Sequence, residues 1–99
     1  MTERIKQFLD ANGLVTLFPA KRKMKICVLF YLAQKFDPQK QYTEREVNDL
    51  LLLWHTFGDP ATLRRELYDY RFLNRSTDGR SYWLSPDQPT LEQLLEGLR

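Results

Sequence analysis

Two helix starts and a hairpin turn follow one another between Thr43 and Leu84, and that succession restricts the fold more than any other feature of the chain. Thr43-Glu44-Arg45-Glu46 has the spacing of a capping box. The Thr43 hydroxyl is placed to accept from the Glu46 N–H while the Glu46 side chain reaches back. The helix it opens carries Val47, Leu50, Leu51 and Trp54 at i, i+3, i+4 and i+7, and Phe57-Gly58 marks its end. Asp59-Pro60 then supplies a cap and a proline for the first helical position of a helix over 60–72. Leu63, Leu67 and Tyr70 fall on its inner face; Ala61, Arg64, Arg65 and Tyr68 fall on the other side, with Thr62 and Asp69 on the flank. The runs Phe72 to Thr77 and Arg80 to Leu84 flank Asp78-Gly79, a strong hairpin signal. A two-residue turn there sets Thr77 opposite Arg80 and Arg75 opposite Tyr82.

Upstream, residues 20–36 pass without Gly or Pro and are apolar on almost every side in the middle. Length favours a helix over a buried strand, with Pro19 at its start and Asp37-Pro38 at its stop. Residues 2–10 read as a short helix with Ile5, Phe8 and Leu9 on one face, ended by Asn12-Gly13, and Leu14 to Phe18 as a stretch able to add a strand. Residues 90–98 read as a last helix with Leu91, Leu94, Leu95 and Leu98 on one face. The expected fold is therefore mainly α with a small β-hairpin: a winged helix-turn-helix core over 14–84, with added N- and C-terminal helices, in one domain spanning 1–99.

Composition is that of an ordinary globular chain, with 42% hydrophobic and 28% charged residues. The single cysteine, Cys27, lies in an apolar run, which excludes an internal disulfide and suits a core position. The apolar runs Ile26 to Ala33 and Leu50 to Trp54 are too short to cross a bilayer, and the N-terminus lacks a signal-peptide apolar segment, so a cytoplasmic address is expected. Net charge is +2, but from Pro19 to Leu84 twelve Lys/Arg stand against eight Asp/Glu. An anion-binding face therefore belongs to the middle of the chain.

In a winged helix the third helix lays its outer face in the major groove and the hairpin reaches a neighbouring phosphate or the minor groove. Arg64 and Arg65 near the start of that helix have the fork that bonds two acceptors on guanine, and Thr62 with the helix N-terminus suits a phosphate oxygen. Tyr68 adds a backbone contact, Arg75 and Arg80 flank the hairpin turn, and Lys21, Arg22 and Lys23 crowd the first turn of the 20–36 helix. Duplex DNA is thus the expected partner, read by helix 60–72 and the 73–84 wing, in a transcriptional regulator. Enzyme chemistry is not expected. His55, the one histidine, reads as a helix C-terminal cap with no nucleophile or metal-ligand spacing around it, and no glycine loop cradles a phosphate, so no cofactor is implied. The alternative is an interaction or dimerisation module. Leu52 and Leu53 widen the apolar stripe of the second helix, and the last helix has its own leucine face; these surfaces suit a homodimer or a partner regulator, or else the terminal helices cover the leucines within one monomer.

Four pieces of sequence, in order, resemble one family. They are Pro19-Ala20-Lys21-Arg22-Lys23; Tyr42-Thr43-Glu44-Arg45-Glu46-Val47-Asn48; Asp59-Pro60-Ala61-Thr62-Leu63-Arg64-Arg65-Glu66-Leu67; and Leu73-Asn74-Arg75 with Gly79-Arg80-Ser81-Tyr82-Trp83. Over about residues 14–84 the chain resembles the bacterial domain of unknown function numbered 2087. The resemblance implies a winged-helix module in a regulatory setting, since some members follow an ArsR-type helix-turn-helix domain in the same chain and others stand alone. Asn48, on the outward side of the second helix, and the Arg64-Arg65 pair are motif positions in it. The family has no established activity, so the resemblance implies a setting and not a mechanism, and where a separate DNA reader precedes the domain it implies a dimerisation or sensing module instead.

Overall fold

The computed structural model describes residues 2–88 and 90–96. A 3-10 helix over Thr2–Phe8 leads to helix α1 (Arg22–Ala33), strand β1 (Gln41–Tyr42), helices α2 (Glu44–Leu52) and α3 (Pro60–Asp69), strands β2 (Leu73–Arg75) and β3 (Tyr82–Leu84), and helix α4 (Leu91–Glu96). Helix, strand, helix, helix and hairpin in that order, with the sheet closed by β1, make an α+β winged helix-turn-helix with an added helix at each end. Among the described residues no helix is long and apolar enough to cross a membrane.

Helix α1 is the centre of the molecule. Ile26 to Leu29 and Tyr31 to Ala33 are all buried, so no side of the helix over those turns is left to water. Such a helix is stable only inside a shell. The N-terminal 3-10 helix supplies part of it through Ile5, with Phe8 and Leu9 half-buried against the core; α3 supplies Leu63 and Leu67; Leu91, Leu94 and Leu95 of α4 pack on the same cluster. Cys27 is fully buried, and burial pushes its thiol above the usual range. α1 is shorter than the expected 20–36. The chain bends at Ala20 and Lys21, Lys21 is extended at the N-cap without a side-chain cap, and Pro19 is buried before the helix instead of opening it. At the other end Lys35 and Phe36 donate to Leu32 and Ala33, bonds of i→i−3 type that tighten the last turn out of α geometry.

α2 opens with the expected capping box. Thr43 Oγ1 accepts the Glu46 N–H at 3.1 Å and Glu46 Oε1 accepts the Thr43 N–H at 2.9 Å. It closes at Leu52, well before Phe57, because two competitors take over its ladder. His55 Nδ1–H donates to the Leu51 carbonyl at 2.6 Å, the acceptor that the residue-55 N–H would have used in a longer helix. The segment at Val15 also inserts beside it, with Val15 N–H donating to Trp54 O at 2.8 Å and Thr56 N–H to Val15 O at 3.0 Å. Leu14 to Phe18 therefore forms no strand. Val15 makes only isolated bridges to Leu9 and His55. Trp54 stays on the stripe but on a tightened turn past the helix, edge-on to Tyr31 at 6.5 Å.

His55 is 4% exposed and also joins α2 to α3, because its Nε2 accepts the Asp59 N–H at 2.9 Å. Since that partner is a donor, the ring is neutral with its proton on Nδ1. The expected C-terminal cap is thus also the start of the next helix. α3 begins as expected, with Asp59 accepting the Thr62 N–H at 3.2 Å and Pro60 behind it. It ends at Asp69, not residue 72. Phe72 N–H donates to Leu67 O and Arg71 N–H to Tyr68 O, a Schellman closure with Arg71 at φ +64° in the place where glycine is usual. Leu67 and Phe72, the positions that such a closure brings together, are both buried.

The sheet runs β1-β3-β2, antiparallel throughout. Leu73, Asn74 and Arg75 stand opposite Leu84, Trp83 and Tyr82, as the hairpin register requires, and Tyr82 and Trp83 pair on their other side with Tyr42 and Gln41. The turn differs from the expected two-residue form. Gly79 N–H bonds back to Ser76 O at 2.9 Å, and the strands close at Ser76 and Ser81. A two-residue Asp-Gly turn needs positive φ at both positions, and only Gly79, at φ +73°, has it. Asp78 instead braces the loop, its Oδ1 accepting from Ser76 Oγ at 2.6 Å and from Arg80 N–H at 3.0 Å. α4 is capped by a second box, Thr90 with Gln93. Leu98 lies outside the described residues.

Leu52 and Leu53 are 48% and 70% exposed, so neither terminal helix covers them. Two stability measurements check this account. Arg71→Gly removes the left-handed strain of a side-chain-bearing residue and is expected to raise stability by about 0.5–1 kcal/mol in thermal or urea unfolding. His55→Ala empties a buried position and orphans the Asp59 N–H, with an expected loss of about 2–3 kcal/mol; an unchanged unfolding midpoint contradicts the role given to His55.

Candidate nucleic-acid interface

α3 has two working sides. One faces α1, where Glu66 pairs with Lys25 at 3.4 Å and Tyr70 lies under Arg22, 6.0 Å from guanidinium to ring. The other faces the wing. Cross-strand neighbours share a sheet face, so Arg75 belongs to the same face as Tyr82 and Tyr42, which are buried. Arg75 sits at the edge of that face, beside α3, and its guanidinium lies 4.8 Å from the ring of Tyr68. Hydrogen bonding to the tyrosine hydroxyls, Tyr82 first and then Tyr68, raises its already high pKa further. Between α3 and β2 there is a cleft of about 320 Å³ lined by Glu44, Arg64, Arg65, Tyr68, Asp69, Arg75 and Tyr82.

The expected reading pair divides within this cleft. Arg65 is exposed and, among the described residues, makes no ion pair. Arg64 does not point outward. Its side chain is 17% exposed, Nη1 donates to Asn48 Oδ1 at 2.5 Å, and Nη2 lies 3.4 Å from Glu44 Oε1. Glu44 and Asn48 are one α-helical turn apart on α2, so Arg64 clamps α3 to α2 through two points of one face. The helical wheel groups Arg64 with Arg65 correctly, but they are 100° apart, and the neighbouring helix takes one of them. For the same reason Asn48 is turned toward α3 and not outward.

The remaining expected contacts are scattered. Thr62 is exposed, but its N–H already donates to Asp59, whose carboxyl is held below its ordinary range by the Thr62 hydroxyl and amide. Arg80 is 87% exposed at the wing tip, 3.8 Å from Asp78 Oδ2. Hydrogen bonds from Ser76 and then from the Arg80 amide keep Asp78 ionised to lower pH than usual. Lys21, Arg22 and Lys23 are exposed at the start of α1, on the Tyr70 side of α3, and Lys23 shares a surface cleft with Glu92 and Glu96 of α4. The structure thus brings Arg65, Tyr68 and Arg75 together and leaves the α1 cluster apart from them.

Glu44, Asp69 and Tyr82 complete the cleft and are not among the expected site residues. The signal for Glu44 was its i, i+4 spacing from Asn48; for Tyr82 it was the hairpin register itself. Among the described residues no cluster of His, Cys, Asp and Glu is arranged to hold a metal ion.

No curated protein and no solved structure matches the chain. A family model does, over residues 15–84, a span that takes in α1, the helix–turn–helix pair, the wing and every residue of the α3–wing cleft. The chain belongs to the bacterial family described as "Uncharacterized protein conserved in bacteria (DUF2087)".

Proposed function

We propose that the protein binds duplex DNA through the wing-side surface of α3 and acts as a transcriptional regulator. The observation that carries this reading is the convergence of Arg65, Tyr68 and Arg75 in one cleft, with Arg75 held by an aromatic stack in place of a carboxylate. A guanidinium held by tyrosine rings and hydroxyls keeps its charge for an anion outside the protein. An arginine neutralised by a carboxylate, as Arg64 is by Glu44, does not. Phosphate oxygens and base edges are the acceptors that such a surface fits on a protruding helix and hairpin.

The decisive experiment selects from a pool of random duplex DNA at two salt concentrations. Enrichment that weakens steeply with salt supports the reading. Arg65→Ala and Arg75→Ala are each expected to weaken binding about tenfold, within the range for removing one arginine from a base or phosphate. Arg64→Ala is expected to act differently, lowering stability by about 1–2 kcal/mol because the α2–α3 clamp is gone. A folded wild-type protein that binds no duplex at low salt ends this reading.

A second reading has its own observation. Leu17, Leu52, Leu53 and Phe57 are exposed large apolar residues, and the bonds between Val15 and residues 54–56 bring the Leu17 segment next to the end of α2. An exposed apolar surface of this kind fits an interface, either between two copies of the chain or with a partner regulator. Sedimentation across a concentration series tests the first. A dimer that Leu53→Lys dissociates supports it, and a monomer at all concentrations directs attention to a different protein partner.

A further inference from the structure

His55 is bonded in a way that only its neutral form permits. Nδ1–H donates to the Leu51 carbonyl at 2.6 Å, and Nε2 accepts the Asp59 N–H at 2.9 Å. An imidazolium has two donors and no acceptor, so a proton arriving at Nε2 faces the Asp59 N–H donor to donor. We propose that the joint between α2 and α3 is a proton-operated latch, in which protonation of His55 ejects the Asp59 N–H, draws the Asp59 carboxylate onto the ring and uncaps α3. The proton is taken from solvent, and the Nε2–H bond is the one covalent bond that forms.

The surroundings of the ring favour that exchange of partners. Leu51 of α2 and Val15, which bridges to His55, are apolar, and the Phe57 ring stands 4.6 Å from the imidazole. Among the described residues His55 makes no ion pair, and the charge that acts with it is the Asp59 carboxylate. That carboxyl is held ionised by the Thr62 hydroxyl and amide and, last, by His55 itself. A charged ring this deeply buried needs a partner, and the carboxylate is the one at hand. It is also the group that accepts the Thr62 N–H at 3.2 Å, so the same step takes the cap from α3. Gly58, at φ +64° with open space about it, lies between the two residues and lets the loop turn. The rest of α3 stays in place, with Leu63 and Leu67 in the core and Arg64 on Glu44 and Asn48. Release is therefore confined to the first turn. That helix carries the surface proposed above for DNA, which the latch places under the control of pH, but the latch itself does not depend on that reading.

The chain has one histidine. Free carboxyls titrate near about pH 4 and free imidazole near about 6.5, so a transition between about pH 5.5 and 7 belongs to the ring. The test is a proton–nitrogen NMR titration of the full chain over that range, on wild type, Asp59→Asn and His55→Gln. At the upper end the wild-type ring is expected to carry its proton on Nδ1. On acidification the ring nitrogens and the Asp59 and Thr62 amides are expected to shift with one midpoint. Protection of the Thr62 amide against solvent exchange is expected to fall about fivefold, the effect of a lost N-cap. Asn caps a helix as well as Asp but offers no charge, so in Asp59→Asn the ring titrates while Thr62 stays protected. His55→Gln keeps an acceptor for the Asp59 N–H and takes no proton, so both amides lose their pH response. Asp59 is exposed, and its variant decides the matter even where His55→Gln does not fold. A wild-type ring that titrates while Thr62 stays protected overturns the proposal. So does a Thr62 response that persists in Asp59→Asn, or a ring that takes up no proton down to about pH 5.5.

Discussion

The structure depends on the burial of α1. Its middle turns carry buried side chains on every side, each fully buried aliphatic worth about 1.5–3 kcal/mol against exposure, and no single neighbour could cover them all. The N-terminal 3-10 helix, α3 and α4 are what make the helix tenable, and each contributes side chains that have no other place to be buried. This explains why a three-helix core with a hairpin carries extra segments at both ends. The 3-10 helix is itself a poor fold in isolation, with strained hydrogen bonds and few of them, and persists because Ile5 and the half-buried Phe8 are held against the core.

Once α1 is enclosed, the relation of α2 to α3 is set at two points. His55 ties the last carbonyls of α2 to the first amide of the α3 cap, and Arg64 ties the middle of α3 to Glu44 and Asn48 near the start of α2. One point fixes the turn and the other fixes the crossing, so the outer face of α3 is delivered to the wing at a defined angle. The Schellman closure at Arg71 then reverses the chain directly into β2, which puts Arg75 over Tyr68. The candidate interface is in this sense a consequence of packing: the residues that form its floor are also those that end α3 and start the sheet.

What could be read from the chain beforehand was what local chemistry decides. The capping box at Thr43, the Asp59-Pro60 start and the register of Arg75 against Tyr82 each rest on side chains a few residues apart, and each is present. The misreadings arise where a distant segment intervenes. β1 is two residues long, and its partner Tyr82–Leu84 lies across two helices, so nothing within Gln41–Tyr42 announces a strand. The Val15 segment shortens α2 for a similar reason, since its hydrogen bonds compete with a ladder that the periodicity alone would continue to Phe57. At the site, the wheel separates the inner from the outer half of α3 but does not say that α2 claims Arg64. That required the crossing angle, and with it the tertiary structure.

The charge pattern follows the same division. Carboxylates are placed where they serve as structural acceptors, at the Thr43–Glu46 box, at Asp59 and at Asp78, and all three are held ionised by the N–H and O–H groups they bind. Arg64, placed against Glu44 and largely buried, acts within the fold. Arg75 is placed against aromatic rings, which fix its position without cancelling its charge. A ring and a carboxylate both order a guanidinium, but only the carboxylate neutralises it. If that surface meets DNA as proposed, Tyr68 at that point preserves the long-range attraction that a buried ion pair would have removed. The net charge of +2 is therefore a weak guide to what the molecule presents. The local partner of each arginine is the better one, and it divides Arg64 from Arg75 although both line a single cleft.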